Sequence, residues 1–191
     1  FVCDTSELLH SKLTASERVV IEGSQGFGLS LLDGGFWPKA TSRTTTAAGA
    51  LTEAGLSPLD VDDVTLVIRS FPIRVAGDSG FLPNEVTWEY VASLTGRHAE
   101  DIQEYTTVTK KLRRVGMFDP AIVRAAIFAN RPNRIVLNHV DYVGFAQSLG
   151  DTESHASKFL AQVEQTIGQP IASVGFDELG ILDTAGELHD G

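Results

Sequence analysis

A chain of 191 residues is long enough to bury a substantial core and fits a single domain, residues 1–191, or a piece of a larger protein. Apolar residues at 42% and charged residues at 21% are ordinary for a globular protein. A formal net charge of −10 argues against a nucleic-acid binder, which needs a cationic surface, and the single cysteine, Cys3, excludes an internal disulfide and a zinc-type cluster.

Residues 1–16 read as a helix, with Leu8, Leu9 and Leu13 near helical spacing. Residues 19–22, led by Val19, Val20 and Ile21, read as a buried strand that stops at Gly23. A Gly-rich turn follows, then residues 44–54 as a helix, which Ser42, Thr45 or Thr46 can cap and Gly55 stops. Residues 64–71 form a β-rich run that continues to Ile73 and Val75, broken by the turn at 76–80. Asn84 and Glu85 open a helix ending at Gly96, and Pro120 sits in the first turn of another over 121–130. Residues 134–140 are a buried strand, 154–167 an amphipathic helix ending at Gly168, and 171–174 a final short strand. Strands alternating with helices predict an α/β fold, a mainly parallel sheet flanked by helices.

Three constellations carry chemistry. In the first, Gly23, Gln25 and Gly26 are followed by Thr41-Ser42-Arg43-Thr44-Thr45-Thr46. Glycines followed by clustered hydroxyls and backbone N–H groups suit an anionic ligand; a turn glutamine and a helix-start hydroxyl are the structural alternative. In the second, Lys110, Lys111, Arg113 and Arg114 place four cations in five positions of an acidic chain. A solvated basic loop and a carboxylate clamp both fit that pattern. Asp119, just before Pro120, is a helix cap. In the third, the strand Ile135-Val136-Leu137 runs into Asn138-His139-Val140-Asp141. That order puts Asp141 at the sheet's carboxyl edge, where α/β ligand sites lie, though a carboxylate there can equally cap the following turn.

In order and spacing these segments resemble the adenylosuccinate synthetases, GTP-dependent ligases of purine nucleotide synthesis. Glu22-Gly23-Ser24-Gln25-Gly26 with Thr41–Thr46 is similar to the family's EGxQG and TSxxTT. Glu104 to Asp119 is similar to its TTGRxRR-GW-D stretch, with Lys110 in place of a glycine and Leu112 in place of an arginine. Asn138 to Asp141 resembles TKLD, and also the NKxD of GTPases, with His139 in place of the family lysine. Ser173, Gly175 and Asp177 match STGPDR, while Phe176 and Glu178 depart from it. Arg74-Val75 and Pro83-Asn84-Glu85 resemble TRVGxGPFPTE.

The resemblance implies a P-loop-NTPase-like adenylosuccinate synthetase fold, incomplete in this chain. It implies that Gln25, Thr41 and Lys111 hold an IMP-like nucleotide, and that Thr109, Lys111 and Arg113 hold the carboxylates of aspartate. His139, Asp141, Ser173 and Gly175 would form the guanine nucleotide site, Asp141 accepting from guanine N1–H and N2–H₂. The family's GDEGKG phosphate loop, its aspartate base and its assisting histidine have no counterpart here, so no catalytic residue and no metal ligand is assigned. Mg²⁺ would accompany GTP, its ligands outside this chain.

Two functions follow from the resemblance. One is a ligase component that joins aspartate to IMP, giving adenylosuccinate, and that needs a missing amino-terminal part or a second chain carrying the phosphate loop. The other is a non-catalytic purine-nucleotide binding or regulatory module. A homo-oligomer is expected, with no nucleic acid and no membrane as partner. No apolar run approaches the length of a membrane span and no signal pattern opens the chain, so a cytoplasmic setting is expected. The first residue, Phe1, suggests a processed product or a fragment.

Overall fold

The computed structural model describes residues 3–23, 25–32, 35–144, 151–176 and 180–184, and the backbone of 188–189. The chain divides into two compact units, Phe1–Val64 with Phe128–Arg131, and Thr65–Ile127 with Pro132–Gly191.

The first unit carries helices α1 (Thr5–Thr14) and α2 (Ala47–Ala54). Asp4 caps α1 by accepting from the Glu7 amide at 3.1 Å, and no residue of α1 is buried. Thr46 caps α2 by accepting from the Gly49 amide at 3.2 Å, and Gly55 ends it at φ 70°, a conformation that costs glycine little. The strand expected at 19–22 is absent. The segment belongs to no strand or helix, with Val20 86% and Ile21 39% exposed. A β-branched run becomes a strand only where a neighbour supplies ladder partners, and among the described residues none pairs with it. An isolated parallel bridge, Ser30 with Ser42, joins the two halves of the glycine- and hydroxyl-rich segment instead.

The second unit is built on a five-stranded sheet in the order β1-β5-β6-β7-β8. Strands β1 (Thr65–Arg69), β5 (Arg134–Asn138) and β6 (Ser173–Gly175) are parallel, and β7 (Ile181–Asp183) and β8 (Leu188–His189) continue it antiparallel. β1 and β5 are both apolar runs, with Ile68, Ile135 and Leu137 buried, while Val67 on the edge strand β1 is 56% exposed. Their register sets Ile68 beside Leu137, and Leu137 beside Val174. The strand expected last, at 171–174, is β6, which begins two residues later and ends one later, and two further strands follow it.

The β-rich run after Val64 is not one strand. β1 stops at Arg69, and β2 (Ile73–Arg74) belongs to a second, antiparallel sheet in the order β2-β4-β3, with β3 Glu85–Val86 and β4 Arg114–Gly116. Pro72 between them has no N–H to donate, but its carbonyl accepts from the Gly116 amide at 2.9 Å. The helix expected from Asn84 begins later, as α3 (Trp88–Thr95), because Glu85 and Val86 pair with Gly116 and Val115; Thr87 caps it.

A short helix α4 (Ala99–Ile102) follows, then α5 (Pro120–Asn130), where Asp119 accepts from the Ala121 amide at 2.8 Å as expected of a cap. Helix α6 (His155–Ile167) is capped by Ser154 and ended by Gly168. Its Ala156, Phe159, Leu160, Val163 and Ile167 recur at helical spacing and pack on Ile68, Leu137 and Val174 of the sheet. A second cluster gathers Phe71, Trp88, Val91, Ile102, Val115 and Tyr142. Among the described residues no helix is long and apolar enough to cross a membrane.

Gly116 is the tightest point of the small sheet. A Cβ there would lie 2.8 Å from the Pro83 carbonyl oxygen, a backbone atom that cannot yield without displacing β3. Gly116→Ala is expected to cost about 1–3 kcal/mol, read as a lower urea midpoint with unchanged slope.

Candidate functional site

In the first unit, residues 25–31 and 41–45 are zipped together. The Thr41 and Ser42 amides donate to the Leu29 carbonyl at 2.9 and 3.2 Å, and the Leu31 amide donates to the Ser42 carbonyl at 2.9 Å. Ser30, fully buried, bonds Thr45 twice, accepting from its amide at 2.8 Å and sharing a hydroxyl pair at 2.7 Å. This brings Gln25 and Thr41 into contact: the Thr41 hydroxyl donates to Gln25 Oε1 at 3.2 Å, and both residues are exposed. Gln25 holds a positive φ of 65°. A cleft of about 210 Å³ in the same unit is lined by Glu22, Gly23, Thr44, Thr45, Thr46 and Glu53 among others. Adjacent hydroxyls and an exposed carboxamide can hydrogen-bond a polar ligand.

Lys111, expected beside them, belongs to the second unit. The basic segment there is a closed loop. The Thr106 amide donates to the Lys111 carbonyl at 2.9 Å, the Lys110 amide to the Thr106 carbonyl at 3.0 Å, and the Lys111 amide to Thr106 Oγ1 at 3.0 Å. The Thr109 hydroxyl is paired with that of Thr106 at 2.6 Å. At the loop's base, the Arg113 amide donates to the Glu104 carbonyl at 2.8 Å, and the Arg113 carbonyl accepts from Trp88 Nε1 at 2.8 Å. Lys110 turns the loop at φ 50°, at the position where the resemblance places a glycine.

The four cations divide by role. Arg114 grips Glu85 with two bonds, at 2.9 and 2.6 Å, and also bonds Ser79 and the Gly80 carbonyl. This bidentate contact holds the Glu85 carboxyl below its usual range and raises the Arg114 guanidinium above its own. Arg74, on the neighbouring strand, is lowered by burial and by the Arg114 charge. Among the described residues the side chains of Lys110, Lys111 and Arg113 have no such partner. A cation without a counter-ion in an acidic chain is free to take a ligand's carboxylate.

At the carboxyl edge of the parallel sheet, β5 stops at Asn138. His139 takes the left-handed conformation, φ 61° and ψ 40°, and leads into a 3₁₀ turn, Val140–Tyr142. Ser70, 1% exposed, donates its hydroxyl to the His139 carbonyl at 2.5 Å, and the Tyr142 amide donates to the same oxygen at 3.2 Å. The His139 ring lies 5.0 Å from that of Tyr142, so it packs on the protein's own aromatic surface. Burial, then the positive charge of Arg69, lowers its pKa to about 4 against the opposing pull of Glu104. Burial and the Glu104 carboxylate push the Tyr142 phenol well up; its hydroxyl donates to that carboxylate at 3.3 Å. Glu104 is also ion-paired to Arg69.

Asp141, in the 3₁₀ turn, accepts from Arg97 Nη1 at 2.8 Å. Gly175, at the end of β6, faces Asn138: a Cβ on Gly175 would fall 2.5 Å from Asn138 Oδ1, so the carboxamide fills the space a side chain would take. Ser173 lies lower than expected, at the start of β6 opposite Val136, and its hydroxyl donates to Asp183 at 2.5 Å. Asp177 and Glu178 fall outside the described residues. Arg97 and Asn138 are the residues that sequence reasoning passed over. Arg97 carries no local signal, its partner being 44 residues away, whereas Asn138 heads the NxxD pattern and was legible there. Among the described residues no three His, Cys, Asp or Glu side chains gather into a common ligand set.

Comparison with known proteins places this geometry. A family model described as adenylosuccinate synthetase matches residues 1–150. The adenylosuccinate synthetase of Methanocaldococcus jannaschii is 35% identical over 99% of this chain and 51% of its own length. That of Thermococcus onnurineus is 33% identical over 99% of this chain and 52% of its own. The chain therefore spans about half the length of the relatives it matches. Among solved structures, fully ligated adenylosuccinate synthetase from Plasmodium falciparum superposes with a TM-score of 0.75 at 20% identity, over 92% of this chain and 52% of that one. Cyanophage S-2L succinoaminodeoxyadenylate synthetase (PurZ), bound to dGMP and to dATP as energy donor, gives 0.67 at 26% identity over 97% and 49%.

Two consequences of the geometry can be measured. A lysine at φ 50° is strained where glycine is not, so Lys110→Gly is expected to stabilise the chain by about 0.5–1 kcal/mol in urea unfolding. His139 has a folded pKa of about 4 against about 6.5 unfolded, so the unfolded chain takes up the proton first as pH falls. That contribution to stability is intact above pH ~6.5 and is lost progressively down to about 4. His139→Asn, which tolerates the left-handed conformation, removes the titration and is expected to flatten the decline in urea midpoint across that window.

Proposed function

Because the chain belongs to the adenylosuccinate synthetase family, we propose that it is a component of a purine nucleotide ligase that uses GTP to join aspartate to IMP, giving adenylosuccinate. In this reading GTP phosphorylates the 6-oxygen of IMP, and the aspartate amine then displaces phosphate from that carbon. Gln25 and Thr41 bind the IMP-like nucleotide. Thr109, Lys111 and Arg113 clamp the aspartate carboxylates, and His139, Asp141, Ser173 and Gly175 surround the donor base.

The observation that carries the proposal is the division of the basic loop. Arg114 is committed to Glu85, while Lys111 and Arg113, in a chain of net charge −10, have no acidic partner among the described residues. The Thr109 hydroxyl must leave Thr106 to reach a ligand, a modest exchange of one hydrogen bond for another. The chain's own groups bind and orient; phosphoryl transfer needs cationic and backbone groups converging on the phosphates, which the proposal assigns to the remaining half, on the same polypeptide or a second chain. Mg²⁺ would arrive with the triphosphate. A homo-oligomer and a cytoplasmic setting complete the proposal. The replacements at Lys110, Leu112 and His139 favour, as the second reading, a purine-nucleotide binding module without catalysis.

Calorimetry with GDP, ADP and IMP tests the reading. The chain is expected to bind IMP and to prefer GDP to ADP, and on its own to form no adenylosuccinate from IMP, GTP and aspartate. Asp141→Asn keeps the shape but sets a donor where the carboxylate accepts, and should cost about 1–3 kcal/mol of guanine binding. Equal affinity for GDP and ADP, untouched by that substitution, would sink the base assignment. Preference for ADP would instead align the donor site with the dATP-bound cyanophage protein.

A further inference from the structure

The basic loop is built as a short hairpin. Around the antiparallel bridge of Tyr105 with Leu112, the Thr106 amide donates to the Lys111 carbonyl and the Arg113 amide to the Glu104 carbonyl. That pattern sets Glu104 directly opposite Arg113. The pleat turns the side chains of an opposed pair to the same side, with Cβ atoms about 4.5–5.5 Å apart, and opposite charges so placed favour a cross-strand ion pair. Here that pair is not formed. The Glu104 carboxylate goes instead to Arg69, at the end of β1 and 35 residues away in sequence, and accepts a further bond from the Tyr142 hydroxyl at 3.3 Å. Arg113 is held by its backbone, the amide on Glu104 and the carbonyl on Trp88 Nε1 at 2.8 Å. Among the described residues neither its guanidinium nor the Lys111 ammonium has an ion-pair partner.

We infer that Arg69 is a positioning residue for the carboxylate clamp: by holding Glu104 it keeps the chain's own carboxylate off Arg113 and leaves that guanidinium for a ligand's. The inference rests on the proposed reading that Lys111 and Arg113 take the carboxylates of aspartate. Glu104 has the same charge and the same reacting group as such a ligand, and it is tethered at the base of the loop, so it competes at a high effective concentration. Arg69 answers that competition with a charge-assisted bond, stronger than the neutral one from Tyr142. Its own side chain is directed by a second bond, from Nε to the Phe71 carbonyl at 3.3 Å. Without Arg69 the Glu104 carboxylate, 24% exposed, would keep the Tyr142 hydroxyl alone and turn to the opposed guanidinium. A partly exposed ion pair adds little net stability, so the effect of this one lies in which cation it leaves free.

The test is calorimetric titration of L-aspartate into the 191-residue chain and its variants, with the Arg113 Nε–Hε resonance followed by NMR before ligand is added. Arg69→Gln is expected to weaken aspartate binding about fivefold and to move the Arg113 resonance to that of a carboxylate-bonded guanidinium. Glu104→Gln, which removes the competitor, should leave the affinity within about twofold of the parent. The double variant Arg69→Gln with Glu104→Gln should recover both the affinity and the resonance of the parent, a rescue that lost packing would not show. Arg69→Lys, which keeps the charge, should behave as the parent. Circular dichroism and the urea midpoint show whether each variant folds, and Arg69→Met, which keeps the apolar stem, carries the comparison should Arg69→Gln unfold. A double variant as weak as Arg69→Gln, or an Arg113 resonance that Arg69→Gln does not move, overturns the inference alone and leaves the pair a structural tie. Aspartate affinity indifferent to Lys111→Ala and Arg113→Ala, or a chain that binds no aspartate, overturns the clamp reading and the inference with it.

Discussion

The edge of the parallel sheet depends on the left-handed turn at His139. A β-strand left to itself would run on; β5 ends because His139 reverses the backbone at φ 61°, a conformation that costs a residue with a Cβ about 1 kcal/mol or more. The cost is offset at the carbonyl of the same residue, which accepts from the buried Ser70 hydroxyl and from the Tyr142 amide. Through this corner Tyr142 reaches Trp88 and the second hydrophobic cluster, and Asp141 reaches Arg97. The imidazole that makes the turn is kept neutral by its burial and by Arg69, so the corner adds no positive charge beside the Arg69–Glu104 pair.

Charge is distributed by the same economy. Three arginines of the second unit are matched by carboxylates: Arg69 by Glu104, Arg97 by Asp141 and Arg114 by Glu85. Such partly exposed pairs add little net stability, but they give each side chain one direction. Lys110, Lys111 and Arg113 stand apart, unmatched among the described residues, on a loop closed by Thr106 and Thr109. The contrast separates the arginine that builds the small sheet from the cations left for a ligand. Sequence spacing alone treats all four cations of the loop alike.

Departures from the family pattern have physical consequences that differ in kind. Lys110 occupies a conformation that suits glycine, so that replacement is felt as local strain. His139 instead turns its ring onto Tyr142, so the change from lysine removes a flexible cation and adds a packed aromatic surface. Asn138 lies over Gly175, and the absence of a side chain on Gly175 lets the ends of β5 and β6 approach with the carboxamide between them. Gly175 is thus matched to its neighbouring strand whatever it binds.

Much of the fold was written locally. The apolar runs of β1 and β5, the cap–helix–glycine units of α2 and α6, and Asp119 before Pro120 all rest on contacts within a few residues, which periodicity and capping chemistry report. The order of the motifs was legible for the same reason, and with it the family. Residues 19–22 had strand propensity but no partner, and the run after Val64 had to be cut where Pro72 hands the chain from one sheet to the other. Pairing partners such as Glu85 with Gly116, and ion pairs such as Arg97 with Asp141, join residues tens of positions apart, and no local pattern encodes which distant group will face them. Composition and spacing fix which side chains are on offer. Only packing decides which of them are consumed by the protein and which remain for a ligand, because a hydrogen bond or ion pair exists only once both partners have been brought within reach.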